Sequence, residues 1–163
     1  MKTPKAKWFK DIRYIDFELI EEPWNTYKLA DGSTLVVKLV LSNVIVDGDM
    51  GEAIKKAKAT NGKIKLPVAF DTKPVASVKI PKNLRGPPSH APKPKEGAPL
   101  LAQEDIDFTV ISEKWNKYEL EHGVGLKIRN TVVKVDRTIE YDEQGIPQYE
   151  FSGSTIVRLV PPK

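Results

Sequence analysis

Ile15 to Leu35 reads IDFELIEEPWNTYKLADGSTL, and Ile106 to Leu126 reads IDFTVISEKWNKYELEHGVGL. The two stretches lie 91 positions apart and share 11 of 21 residues, in the pattern I-D-F-x-x-I-x-E-x-W-N-x-Y-x-L-x-x-G-x-x-L. Average residue usage would give roughly one or two such identities. Self-similarity at this level predicts an internal duplication, and it sets the architecture before any other signal is weighed.

Inside each copy the period is two. Phe17 and Leu19 share one face of a strand, as Phe108 and Val110 do in the second copy. Trp24-Asn25 and Trp115-Asn116 follow as corners, because Asn accepts turn geometry and the proline before the first pair cannot donate to a ladder. Tyr27 with Leu29, and Tyr118 with Leu120, lie on one face of the next strand, and Asp31-Gly32 signals a hairpin. The run Thr34 to Val46 is apolar at both parities. It predicts a long central strand, either buried on both faces or bent at Ser42-Asn43 to serve two sheet regions. In the second copy Leu126 and Ile128 give way to the opposite parity at Val133 and Val135, so a bulge is expected near Asn130-Thr131.

The copies differ after their long strands. The first carries the one helical signal, near Glu52 to Thr60: Asp49 with Glu52 resembles a capping box, Ala53, Ile54 and Ala57 fall on one face, and Asn61-Gly62 stops it. Strands Ile64 to Phe70 and Val75 to Ile80 follow. The second has a hairpin over Thr138 to Phe151, turning at Gln144-Gly145, and a last strand from Ser154 to Val160.

The organisation read from this is a basic N-terminal arm over 1–14, a β repeat over 15–82, a proline-rich linker over 83–105, and a second β repeat over 106–163. Trp8, Phe9, Ile12 and Tyr14 would anchor the end of the arm. The fold class is all-β: a duplicated small β-barrel-like unit, of SH3-like or OB-like size, with one short helix in the first repeat.

Function classes narrow by what the chain lacks. There is no cysteine, so disulfides, thiolate zinc sites and cysteine nucleophiles are excluded, and a reducing, cytoplasmic setting is expected. His90 lies in the linker and His122 in a turn, neither at metal spacing, and no phosphate-cradling glycine motif occurs. The repeated Asp16 and Asp107 sit before Phe in strands without a D-T/S-G loop, and are read as solvent-facing. The expectation is a protein that is not an enzyme and uses no cofactor or metal.

The net charge of +4 is uneven along the chain. The arm carries four excess positive charges, mainly Lys2, Lys5, Lys7 and Lys10, while the repeats are balanced at +1 and −1. Balanced repeats release few counterions, so protein association, with a partner or a second copy, is preferred over nucleic-acid binding. The nucleic-acid alternative would use the arm together with Lys55, Lys56, Lys58, Lys63 and Lys65. The remaining candidate binding residues are the repeated Trp24, Asn25 and Tyr27, and Trp115, Asn116 and Tyr118. In the structural reading Trp fills a barrel end, Asn bonds the backbone of its own corner, and Tyr joins the core; in the functional one the aromatics stack on bases or grip a peptide.

Overall fold

The computed structural model describes residues 12–88 and 100–163. Two antiparallel sheets carry the chain, with one helix. The first half gives β1 (Ile12–Ile15), β2 (Glu18–Glu21), β3 (Asn25–Leu29), β4 (Thr34–Asp47), α1 (Met50–Thr60) and β5 (Val68–Lys79). The second gives β6 (Leu101–Gln103), β7 (Phe108–Ser112), β8 (Asn116–Glu119), β9 (Gly125–Tyr141) and β10 (Pro147–Val160).

Each sheet is built on one long strand. On one side β4 pairs along its length with β5, and on the other it pairs first with β3 and then with β1. Likewise β9 pairs with β10 on one side, and with β8 and then β6 on the other. Both sheets are completed by a strand from the opposite half: β7 pairs with β3, and β2 with β8. The exchange has the same register both ways. Tyr27 faces Val110 as Tyr118 faces Leu19, and Thr26 faces Ser112 as Lys117 faces Glu21. The edge on which a barrel would close is therefore occupied by a borrowed strand. Among the described residues no pairing joins the ends of either sheet, and the expected barrel gives way to two open sheets.

The long strands bend where burial requires it. Along β4 the buried parity runs through Leu35, Val37, Leu39 and Leu41, and then switches to Val44 and Val46. The pairing with β5 slips between Leu41 and Asn43, so Ser42-Asn43 is a bulge and β4 is not buried on both faces. In β9 the slip falls at Val133, which is exposed, rather than at Asn130-Thr131. Val132 is the last buried residue of the first parity, and Val135 the first of the second.

The two strands expected between Ile64 and Ile80 are a single strand, β5. Pro74 lies inside it, and this is tolerated because, among the described residues, β5 is an edge strand whose outer side makes no ladder. The hairpin turn at Asp142 to Gly145 forms as expected: the Asp142 carboxylate accepts from the amides of Gln144 and Ile146. Its return strand, however, runs unbroken from Pro147 to Val160. Ile12 to Tyr14, read as the end of the arm, belong to β1, and Ile12 and Tyr14 are exposed rather than anchoring. Trp8, Phe9 and the arm lysines lie outside the described residues, as does His90. The ends of the linker are ordered into a 3-10 turn at Lys82–Leu84 and into β6.

Helix α1 follows its sequence signals. Asp49 caps it by accepting from the Glu52 amide at 3.1 Å, and Asn61 ends it at φ 52°, a left-handed conformation that Asn enters more easily than most residues. Met50, Ala53, Ile54 and Ala57 are buried against the end of the second sheet, which holds an 11-residue helix that would not persist alone.

Both hydrophobic clusters draw on both halves of the chain. One joins α1 and the far half of β4 to Tyr118, Leu120, Leu126 and Ile128. The other joins Tyr27, Leu29, Leu35 and Val37 to Ile106, Val132 and Val135. Phe17 meets Tyr118 edge-on at 5.6 Å, and Phe108 meets Tyr27 edge-on at 5.7 Å.

Candidate functional site

The repeated W-N-x-Y corners lie where the chain crosses between sheets, and their side chains divide into three roles. Tyr27 and Tyr118 are in the core, as their strand parity requires. Each hydroxyl donates to a glutamate just beyond an exchanged strand of the other half: Tyr27 to Glu113 at 2.8 Å, and Tyr118 to Glu22 at 2.7 Å. Glu113 also accepts from Arg129 and Thr131, and Glu22 from the Leu41 amide.

Asn25 and Asn116 are buried, but their recorded backbone partners lie outside their own corners. The Asn25 side chain donates to the Asn130 carbonyl and accepts from the Lys114 amide. Asn116 donates to the Leu39 carbonyl at 2.7 Å and to the Tyr118 hydroxyl at 2.9 Å. The reason is the exchange itself. A strand that leaves its own sheet strands backbone groups of the opposite half at the crossing, and the Asn amide is the group placed to satisfy them.

The tryptophans fill no barrel end. Trp24 is 46% exposed and lies beside Lys38, whose ammonium is 5.8 Å from the ring centre. Trp115, half-buried, takes Arg129 at 5.9 Å and Arg158 at 5.3 Å. On the outer face of the second sheet the pairing sets Glu21, Lys117, Lys127 and Arg158 in one cross-strand row. The matching row on the first sheet is Ser112, Thr26, Val36 and Ser77. Sequence reasoning passed over Arg129, Arg158 and Lys127; only the pairing shows that they share a face.

Lys55, Lys56 and Lys58 are exposed on α1, and Lys63 and Lys65 on the loop after it. Asp16, Asp107 and His122 are exposed, and among the described residues no three acidic or histidine side chains converge as a metal site. No helix among the described residues is long and apolar enough to cross a membrane.

The outer flanks of β5 and β10 are exposed along much of their length. Both are edge strands, and Val75, Ile156, Val157 and Val160 on them are exposed. Beside the last turns of β10 lies an open groove of about 740 Å³, floored by Ile64, Leu66, Val68 and Leu159 and edged by Lys63, Lys127 and Arg158. A smaller groove of about 380 Å³ lies in the matching place, between Ala76 to Val78 of β5 and the β9–β10 turn.

In comparisons with protein-family models, curated proteins and solved structures, nothing matches this chain.

Two buried tyrosines and the half-buried Tyr149 make the interior sensitive to alkali. Burial, reinforced by the bond to a glutamate, raises Tyr27 and Tyr118 far above the ordinary value of 10.0, and burial with the nearby Asp31 carboxylate pushes Tyr149 up to about 12. A raised folded pKa means stability that is present below the unfolded pKa and lost as pH rises through the folded one. Unfolding midpoints in urea should therefore hold up to pH 10 and fall steeply between 10 and 12. Tyrosinate absorbance of the folded protein should lack three tyrosines at pH 11; full ionisation there with native circular dichroism would contradict the placement.

Proposed function

We propose that this chain is a non-enzymatic association module, made of two interlocked copies of one β unit, that engages a protein partner or a second copy of itself through its outer sheet edges. The equal register of the two strand exchanges supports the duplication. The observation that carries the binding reading is the pair of long edge strands, β5 and β10. Their outer backbone groups take no strand partner among the described residues, and exposed apolar side chains flank them. Such edges pair with further strands unless they are blocked. A cysteine-free chain of this kind fits the reducing cytoplasm.

A second reading has one observation in its favour. Trp115 with Arg129 and Arg158, beside Lys117 and Lys127, combines an aromatic ring with cations as single-stranded nucleic-acid surfaces do. The two readings separate in one experiment: titration into RNA and duplex DNA at two salt concentrations, with and without residues 1–10, beside light scattering of the protein alone. The association reading expects weak binding with a shallow salt slope, and a dimer or larger species in scattering. Submicromolar binding at physiological salt that collapses when the arm is removed would reverse it.

A further inference from the structure

The groove beside β10 combines three features that suit one kind of occupant. Its wall is the edge of Val157 to Val160, which takes no strand partner among the described residues, about 13 Å of strand at roughly 3.3 Å per residue. Its floor is apolar, from Ile64, Leu66, Val68 and Leu159. Its charged lining residues are all cations, Lys63, Lys127 and Arg158, with no carboxylate among them. A strand added along β10 would alternate its side chains between the apolar floor and the face carrying Lys127 and Arg158.

Next to the matching groove at β5, a length of backbone is bonded to the β9–β10 turn that lines it. There the chain continues past β5, and the Gly86 amide donates to the Gly145 carbonyl at 2.9 Å while Arg85 donates to the Gln144 carbonyl at 2.8 Å. Gly86 lies so close to the Tyr141 ring that a Cβ there would collide with it. At the β10 groove no described segment plays this part. The basic sequence of the arm, with Lys2, Lys5, Lys7 and Lys10, is a poor electrostatic match for it. A second copy of the chain pairing β10 with β10 would set Arg158 near Arg158, like charges across a sheet.

We propose that the β10 groove is a strand-addition site for an extended peptide of a partner protein in which apolar residues alternate with carboxylates. The proposal rests on the protein-association reading and names its partner class. The test uses the full chain and fluorescence anisotropy with two labelled probes, an octapeptide of alternating glutamate and valine and an oligothymidine of equal length. Arg158→Glu should weaken peptide binding at least tenfold, Arg158→Glu with Lys63→Glu should abolish it, and Lys82→Glu, on an exposed turn outside the groove, should leave it unchanged. Thermal melts confirm that each variant is folded. Peptide binding that is indifferent to Arg158→Glu, or absent in the wild-type chain, overturns the groove assignment. Oligothymidine binding that is tighter than the peptide's and lost in Arg158→Glu overturns it in favour of nucleic acid. The association reading itself is judged separately, by the scattering and nucleic-acid titration above.

Discussion

Asp31→Ala should lower the melting temperature by about 6–12 °C at pH 7, following a loss of about 3 kcal/mol at roughly 2–4 °C per kcal/mol for a chain of this size. Asp31 follows β3 in the turn closed by Gly32, and its carboxylate bonds four groups. One oxygen accepts from the Ser33 amide and hydroxyl, and the other from Arg137 at 2.9 Å and from the Tyr149 hydroxyl at 2.7 Å. Its side chain is 4% exposed and that of Arg137 18%. Removing the carboxylate leaves a guanidinium and a hydroxyl in the interior without their acceptor, and this, rather than the loss of attraction alone, sets the size of the effect. Burial by itself would raise the Asp31 pKa, but the bonds from Ser33, Tyr149 and Arg137 outweigh it and hold the carboxyl below the ordinary 3.8. A lowered folded pKa gives stability that is present above the unfolded pKa and lost as pH falls through the folded one. The gap between wild type and Asp31→Ala should thus be widest at pH 5 to 8 and narrow below pH 4. A pH-independent gap would mean that the ion pair does not hold the turn to the second sheet.

Glu113→Ala should cost a further large amount, about 2–4 kcal/mol, read as an earlier urea midpoint. Glu113 stands between β7 and the Trp115 corner, with a side chain 6% exposed. It collects the Tyr27 hydroxyl, two Arg129 nitrogens and the Thr131 hydroxyl. Its loss orphans a hydroxyl on a fully buried tyrosine. The companion change Tyr27→Phe removes that orphan, so the double variant should be more stable than the sum of the two losses by about 1 kcal/mol or more. Strict additivity would show that the bond is not formed in solution. Glu22→Ala with Tyr118→Phe is the same cycle at the other crossing. Its effect should be smaller, because Glu22 also serves only the Leu41 amide, with no guanidinium.

Both networks lie outside anything periodicity could reveal. Glu113 and Glu22 were visible as repeated residues, but each bonds a tyrosine 86 or 96 positions away. Asp31 was visible as half of a hairpin signal, while its partners Arg137 and Tyr149 lie on strands of the other sheet. The same holds for the candidate surface. Trp24 and Trp115 were legible as corner residues, but their exposure follows from where the corners sit.

What the sequence by itself determined was local. The alternating strands, the helix with Asp49 and Asn61 at its ends and the turn at Gly145 all rest on interactions within a few residues, which composition and spacing encode directly, whereas the bend at Ser42-Asn43 was one of two readings the sequence left open. What only the tertiary structure decided was which strand lies beside which. An alternating strand specifies its buried face, but its edge offers the same amides and carbonyls to any neighbour. The crossing of β2 and β7 into opposite sheets, the two open sheets in place of barrels, and the cationic groove beside β10 all follow from that choice of neighbour. It is made by the fit of two apolar clusters drawn from both halves, and no single stretch of the chain contains either one.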